Sequence, residues 1–253
     1  LPIVDPHHHL WDRPGWRYLL DELLADLNSG HKIVATVFLQ CRAMHRASGP
    51  EALRPVGETE FVNGVAAMSA SGIYGPTEVC AGIVGHVDLG LGDGVAPVLD
   101  AHLAAGGGRF RGIRHMMAHD PDPAVLGPLA HAAPGLCSDP ALRQALTHFA
   151  SRNLSLDLWV VEPQLPEILD LADAFPDLPM VIDHVGTPVG LGRYAGKREE
   201  RFAGWAKVMA ALAERPNIHV KLGGLTMPFC GFDGMGPDVR PASTTLAEAW
   251  RPF

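Results

Sequence analysis

The sequence predicts an α/β protein and, more specifically, a (β/α)8 TIM barrel whose eighth strand and C-terminal end are absent from the 253 residues. Strand-type apolar runs alternate with stretches of helical periodicity seven times, the pattern of a parallel sheet with crossover helices. No composition shift marks a linker, so one domain is expected over residues 1–253, truncated at both ends. A doubly wound open sheet is the alternative, but its Gly-x-Gly-x-x-Gly fingerprint is missing after the first strand.

The elements follow in order from local patterns. The predicted strands are apolar and often β-branched, at residues 1–4, 32–40, 79–87, 110–115, 154–161, 178–183 and 217–222. The predicted helices have apolar residues at a spacing of three or four, over residues 18–27, 58–71, 97–105, 139–152, 165–175, 199–213 and 243–250. The helix at 97–105 shows the clearest boundaries, because Pro97 opens it and a run of three glycines follows it.

The stretch 4–12 (VDPHHHLWD) is the most informative motif. Side chains alternate across a strand, so Asp5, His7 and His9 would point to one side if the first strand continues, and His8 to the other. Two imidazoles on one side, two residues apart, can converge on one metal ion. The alternative is an exposed histidine run or tag remnant, but three histidines between an apolar strand and Leu-Trp are not tag-like.

Polar side chains close all seven predicted strands. In a parallel barrel these ends share one face, and that face carries the active site. The residues are His7, His9, Gln40, His86, Asp88, Arg114, His115, Asp157, Trp159, Asp183, His184 and Lys221. Taken singly, His86, His115 and His219 favour a hydrogen-bonded structural role, or at most substrate contact. The set as a whole predicts a site.

Composition excludes several classes of function. The formal charge is −8 with no basic block, which argues against a nucleic-acid or anionic-membrane partner. No apolar run has membrane-span length, and the start lacks the features of a signal peptide. The four cysteines lie far apart, as expected for reduced thiols in the cytoplasm. The expected partner is a small-molecule substrate, and homo-oligomerisation is left open.

Five segments together resemble the amidohydrolase superfamily, and within it the lactonase branch that includes 2-pyrone-4,6-dicarboxylate lactonase and sugar-acid lactonases. They are residues 4–12, 110–115 (FRGIRH), 156–159 (LDLW), 181–188 (VIDHVGTP) and 220–225 (VKLGGL). The resemblance implies a barrel hydrolase that opens a lactone ring. It implies catalytic and metal-binding roles for His7, His9 and His184. It also implies a substrate pocket lined by Arg114, His115, Trp159 and Lys221. Gln40, at the end of the second strand, is expected to contact the substrate as well.

Departures from the superfamily pattern limit what carries over. Arg114-His115 stands where a metal-bridging residue of strand 4 is usual, Asp157-Leu158-Trp159 replaces the strand-5 histidine, and Gln40 replaces an acid often found after strand 2. These changes favour one divalent metal, zinc first, over two, and in this branch the metal is sometimes dispensable. The family's general base, an aspartate ending strand 8, has no match here.

Two mechanisms of lactone hydrolysis stay open. A zinc ion can activate water and polarise the carbonyl, or the imidazoles can hydrogen-bond the carbonyl oxygen without metal. Arg114 suits a substrate carboxylate. Loops at 116–133, 187–198 and 227–240 would shape specificity. The rival functions are a metal-dependent decarboxylase of the same superfamily, a degenerate non-catalytic binder of small molecules and a dinucleotide-binding oxidoreductase.

Overall fold

The computed structural model describes residues 1–129, 132–232 and 241–253. The chain divides into two compact units. Unit 1 comprises Leu1–His115 and Gln144–Ser155, and unit 2 comprises Met116–Arg143 and Leu156–Phe253.

Unit 1 alternates strands and helices around parallel pairs. Its elements are β1 (Ile3–His8), β2 (Trp11–Arg13), β3 (Trp16–Tyr18), α1 (Leu20–Leu27), β4 (Ile33–Leu39), α2 (Val56–Ala70), β5 (Glu78–Gly85), α3 (Val95–Ala105) and β6 (Phe110–Met116). Strands β1, β4, β5 and β6 pair in that order, each parallel to the next. The strands therefore lie side by side in chain order, as successive strands of a barrel do.

Unit 2 repeats the same scheme. The later elements of the chain are α4 (Pro123–Leu126), α5 (Pro140–Leu146), β7 (Ser155–Trp159), α6 (Leu165–Ala174), β8 (Met180–Ile182), α7 (Arg198–Ala213), β9 (Ile218–Val220) and α8 (Ser243–Trp250). Strand β8 pairs in parallel with β7 on one side and β9 on the other. The described residues thus contain seven parallel strands with intervening helices, which confirms the predicted α/β barrel-type fold.

The observed boundaries differ from the predicted ones mainly at the strands. The first strand runs through Pro6 into the histidine motif, because its parallel pairing with β4 extends as far as His8, which lies opposite Phe38. The sixth and seventh strands are only three residues long. The helix predicted at 139–152 ends at Leu146, and a separate 3-10 turn, Ala150–Arg152, follows it.

Two features were not predicted: the short helix α4, which lies in the expected loop 116–133, and the antiparallel hairpin formed by β2 and β3. The two-residue connection of the hairpin is Pro14-Gly15, and Gly15 has a φ of 76°, which suits glycine. The indole rings of Trp11 and Trp16 stack with centroids 4.9 Å apart. A Pro-Gly pair between two tryptophans was the available signal.

The cores of both units are apolar and close-packed. Phe38, Ile83 and Leu99 in unit 1, and Leu158 and Ile182 in unit 2, have no exposed surface. All four cysteines are free and buried. No helix of the described residues is both long and apolar enough to cross a membrane.

Candidate active site

His7 and His9 face one another at the end of β1. Their Nε2 atoms are 3.2 Å apart. The Nδ1 atom of His9 lies 2.8 Å from the backbone carbonyl oxygen of Leu39, the last residue of β4. A carbonyl can only accept a hydrogen bond, so Nδ1 of His9 carries the proton and Nε2 presents its lone pair.

The imidazole of His9 is neutral at neutral pH. Burial lowers its pKa to about 2, and the positive charge of Arg114 and the neighbouring His7 act in the same direction. A neutral imidazole whose outer N–H is fixed by a backbone carbonyl is the usual form of a metal-bound histidine.

Arg114, on β6, completes this cluster. Its Nη1 atom lies 3.2 Å from Nε2 of His7, and its Nη2 atom donates to the backbone carbonyl of Gln40. The side chain is buried, with 7% of its surface exposed. Arg114 therefore brings a fixed positive charge to the two imidazoles.

The lone pairs in this cluster test whether a metal ion fits. When Arg114 donates to Nε2 of His7, that atom is an acceptor, and it faces the acceptor Nε2 of His9 at 3.2 Å. A cation or a shared proton relieves this opposition. Imidazole nitrogens suit zinc, whereas the nearby guanidinium opposes a second cation. The His7 and His9 pair could thus ligate one divalent ion through its two Nε2 lone pairs, with Nε2 of His7 bound to the ion in place of Arg114.

The other polar residues of the motif make structural contacts: His8 packs in the core, and Asp5 binds the backbone. His8 points away into the interior, where its Nε2 atom lies 2.9 Å from Oγ1 of Thr36 and burial lowers its pKa to about 4. Asp5 accepts a hydrogen bond from the backbone amide of His7 at 3.1 Å. The alternation expected for a continued strand is therefore present.

Gln40 is buried in unit 1, and His115 is half-buried there. Both polar atoms of the Gln40 side chain are buried and have no hydrogen-bond partner among the described residues. The His115 ring stacks on His86 with centroids 6.0 Å apart. Burial lowers the pKa of both histidines, that of His86 to about 4. Both imidazoles are therefore neutral at neutral pH.

In unit 2, Lys221 is enclosed by carboxylates. Its ammonium group forms ion pairs with Asp157 and, at 3.2 Å, with Asp183. All three side chains are buried. The sequence placed all three residues at strand ends but gave neither aspartate a role; the structure shows that both carboxylates hold the predicted pocket lysine.

His184 sits in a strained turn directly after β8. The residue has a φ of 57°, and the β-branched Val185 and Thr187 have φ values of 48° and 47°. Such residues rarely adopt this left-handed conformation, and the strain is typical of functional sites. A Cβ on Gly224 would lie 2.2 Å from Nδ1 of His184, so only glycine leaves room for the ring.

Trp159 is the remaining predicted pocket residue. It is 5% exposed, and its ring centroid lies 5.9 Å from that of Phe229. Its indole N–H has no hydrogen-bond partner among the described residues.

The structure brings His7, His9, Gln40 and Arg114 together in unit 1, whereas Trp159, His184 and Lys221 belong to unit 2. Of the loops expected to shape specificity, residues 130–131 and 233–240 lie outside the described residues.

Comparison with known proteins identifies the family to which the chain belongs. An uncharacterised protein, y4mH, of Sinorhizobium fredii is 30% identical over 249 residues, covering 90% of this chain and 74% of the relative. The L-fucono-1,5-lactonase of Burkholderia ambifaria is 30% identical over 227 residues, covering 88% of this chain and 67% of that enzyme.

Among solved structures, a zinc-bound amidohydrolase from Burkholderia multivorans has the same fold, with a TM-score of 0.63 and 23% identity over 88% of this chain and 70% of its own. The amidohydrolase family model matches residues 4–252. The chain therefore belongs to the amidohydrolase family, and it is a hydrolase.

Proposed function

We propose that this amidohydrolase opens the lactone ring of a small acid that bears carboxylate or hydroxyl groups. The observation that carries the proposal is the cluster of the His7 and His9 imidazoles and the buried Arg114 guanidinium at the ends of β1 and β6. The 30% identity to an L-fucono-1,5-lactonase supports a sugar-acid lactone as the substrate class.

Lactone hydrolysis needs an electrophilic carbonyl and an activated water. The oxygen of the water bonds to the carbonyl carbon, the ring C–O bond breaks, and a proton reaches the ring oxygen to give a hydroxy acid. His7 and His9 would hold a zinc ion, with His184 as a further catalytic histidine. Bound zinc supplies Lewis-acid polarisation and lowers the pKa of water.

The protein's own residues orient the substrate. Arg114 contributes a fixed positive charge that attracts a substrate carboxylate or stabilises negative charge developing on the carbonyl oxygen. Without metal, the imidazoles would hydrogen-bond that oxygen. Gln40, His115, Trp159 and Lys221 are proposed to line the pocket.

Ring opening of a panel of sugar-acid and dicarboxylate lactones, L-fucono-1,5-lactone included, tests the proposal. Because each turnover releases an acid, a pH indicator reports it directly. We expect hydrolysis by the purified full chain, loss of activity in His7→Gln, and no loss in His31→Gln, which changes an exposed histidine.

Release of carbon dioxide from carboxylated compounds without ring opening would replace the proposal with a decarboxylase. Saturable ligand binding without any turnover would indicate a non-catalytic binder.

A further inference from the structure

The backbone that follows β4 is a shared support for the candidate site. We call the last residue of β4 and the four residues after it, residues 39–43, the post-β4 segment. The carbonyl of Leu39 accepts from Nδ1 of His9 at 2.8 Å, and the carbonyl of Gln40 accepts from Arg114. The next carbonyl, that of Cys41, accepts from Arg13 at 2.8 Å. Three successive carbonyls therefore hold three side chains, two of them in the proposed site.

A single buried carboxylate holds this segment. Oε1 of Glu58 accepts hydrogen bonds from the backbone amides of Cys41 at 2.9 Å and Ala43 at 2.8 Å. The amide of Gln40 still bonds to Val84 of the neighbouring strand, at 2.8 Å. Glu58 thus takes over where sheet pairing of the segment ends, and its side chain is 1% exposed.

The segment needs such a support because its backbone conformation is unfavourable for the residues that adopt it. Arg42, between the two bonded amides, has a φ of 62°, and Met44 has a φ of 51°. Neither is a glycine, so both conformations are disfavoured unless their surroundings hold them.

The helix that carries Glu58 is docked directly on this loop. A Cβ on Gly57 would lie 2.6 Å from the carbonyl oxygen of Met44 and 2.8 Å from the amide of Arg46. The first turn of α2 therefore has a fixed distance to the loop, and it aims the carboxylate of Glu58 at the two amides.

We propose that Glu58 is a positioning residue for the hydrolase site: it fixes the post-β4 segment, whose carbonyls set the tautomer of His9 and the place of the Arg114 guanidinium. The catalytic consequence rests on the proposed function, whereas the effect on His9 is measurable without any substrate.

Four variants of the full chain distinguish this positioning role from a general effect on folding. Glu58→Ala removes the acceptor, and Glu58→Gln keeps a carbonyl oxygen for the two amides. Glu58→Asp withdraws the carboxylate by one methylene and serves if the alanine variant does not fold. Glu60→Ala is the matched control, because Glu60 lies on the same helix, is exposed and binds Arg46 of the same loop from outside.

The first readout is the imidazole ¹⁵N spectrum of His9, recorded on protein freed of metal by a chelator so that only the protein contacts set the tautomer. Wild type, Glu58→Gln and Glu60→Ala are expected to show the neutral form protonated at Nδ1, whereas Glu58→Ala shows a shift toward the Nε2 tautomer and Glu58→Asp a smaller one. The second readout is lactone hydrolysis, where kcat of Glu58→Ala falls about tenfold or more with a smaller change in KM, the size usual for such supporting contacts.

An unchanged His9 tautomer in both Glu58→Ala and Glu58→Asp would overturn the inference, as would an equal loss in Glu60→Ala. If wild type hydrolyses no lactone, the proposed function fails, and the His9 spectra still decide the role of Glu58.

Discussion

At the scale of single residues, the opposed Nε2 atoms of His7 and His9 are the most informative contact in the molecule. The two-residue period of a strand predicted that these rings share one side. The contact of His9 with Leu39 joins residues 30 apart in sequence, so its tautomer could not be predicted from local spacing.

Substituting His9 tests the metal. An asparagine amide can still donate to the carbonyl of Leu39 but offers no Nε2 lone pair, so His9→Asn should fold and lose zinc affinity by about tenfold or more. Competition with a chromogenic chelator measures this affinity, and His31→Gln serves as the control. Zinc binding equal to wild type in His9→Asn would remove His9 from the ligand set.

Lys221, which is predicted to line the substrate pocket, forms ion pairs within the protein. Its position at the end of the seventh strand was predicted, but its ion pairs with Asp157 and Asp183 depend on the register in which β7, β8 and β9 pair, which the alternation of strands and helices does not specify. Its charge is therefore engaged within the protein.

Removing the lysine should destabilise the fold. Lys221→Met leaves two buried carboxylates without their shared cation, and loss of one partner from a buried ion pair typically costs about 3–5 kcal/mol. Urea unfolding measures the change, with the exposed Lys207→Met as control. Adding Asp157→Asn should restore part of the loss; a Lys221→Met variant as stable as the Lys207→Met control would show that the ion pairs contribute little.

At the scale of elements, helices were predicted more closely than strands. Ser243–Trp250 matches its predicted range, and α3 ends at the predicted glycine run. Strands β8 and β9 are shorter than their apolar runs, because flanking residues leave the regular pairing. The amide of Leu178 bonds to the carbonyl of Phe175 in a turn, and residues Asp183–Gly186 form a 3-10 turn directly after β8. Such turns depend on contacts that a sequence pattern does not contain.

The two glycines of α2 should respond oppositely to alanine. Within a helix this substitution usually stabilises by about 1 kcal/mol. We expect that gain for Gly64→Ala, because nothing lies within 4 Å of the added Cβ. Gly57→Ala should destabilise instead, because its Cβ would lie 2.6 Å from the carbonyl oxygen of Met44. Thermal unfolding of both variants provides the measurement, and stabilisation by Gly57→Ala would contradict the close docking of this helix.

At the scale of the whole molecule, the seven-fold alternation was enough to predict parallel strands in chain order, because crossover connections permit few other arrangements. The packing of helices against the strands also buries titratable side chains, and composition alone does not reveal which ones. Of the thirteen histidines in the sequence, several are enclosed as neutral groups, and the folded state therefore resists their protonation.

Stability should consequently fall as the pH is lowered below neutrality. Burial lowers the pKa values of His8, His86 and His102 to about 4 each, whereas the unfolded chain titrates near 6.5. Between these values the unfolded state binds more protons, so the free energy of unfolding rises with pH and is lost as pH falls from about 6.5 toward 4. Each histidine contributes up to about 1.4 kcal/mol per pH unit in this window.

His102 provides the sharpest test of this linkage, because it is fully buried between Thr59 and the carbonyl of His86. His102→Gln removes one titrating group, so its free energy of unfolding should depend less on pH between 5.5 and 7, with a slope lower by up to about one proton near pH 5.5 and by less near pH 7, even if it is less stable throughout. Urea unfolding at several pH values measures the slope. The exposed His31→Gln should retain the wild-type slope, and an unchanged slope in His102→Gln would mean that His102 does not titrate between the folded and unfolded states in this range.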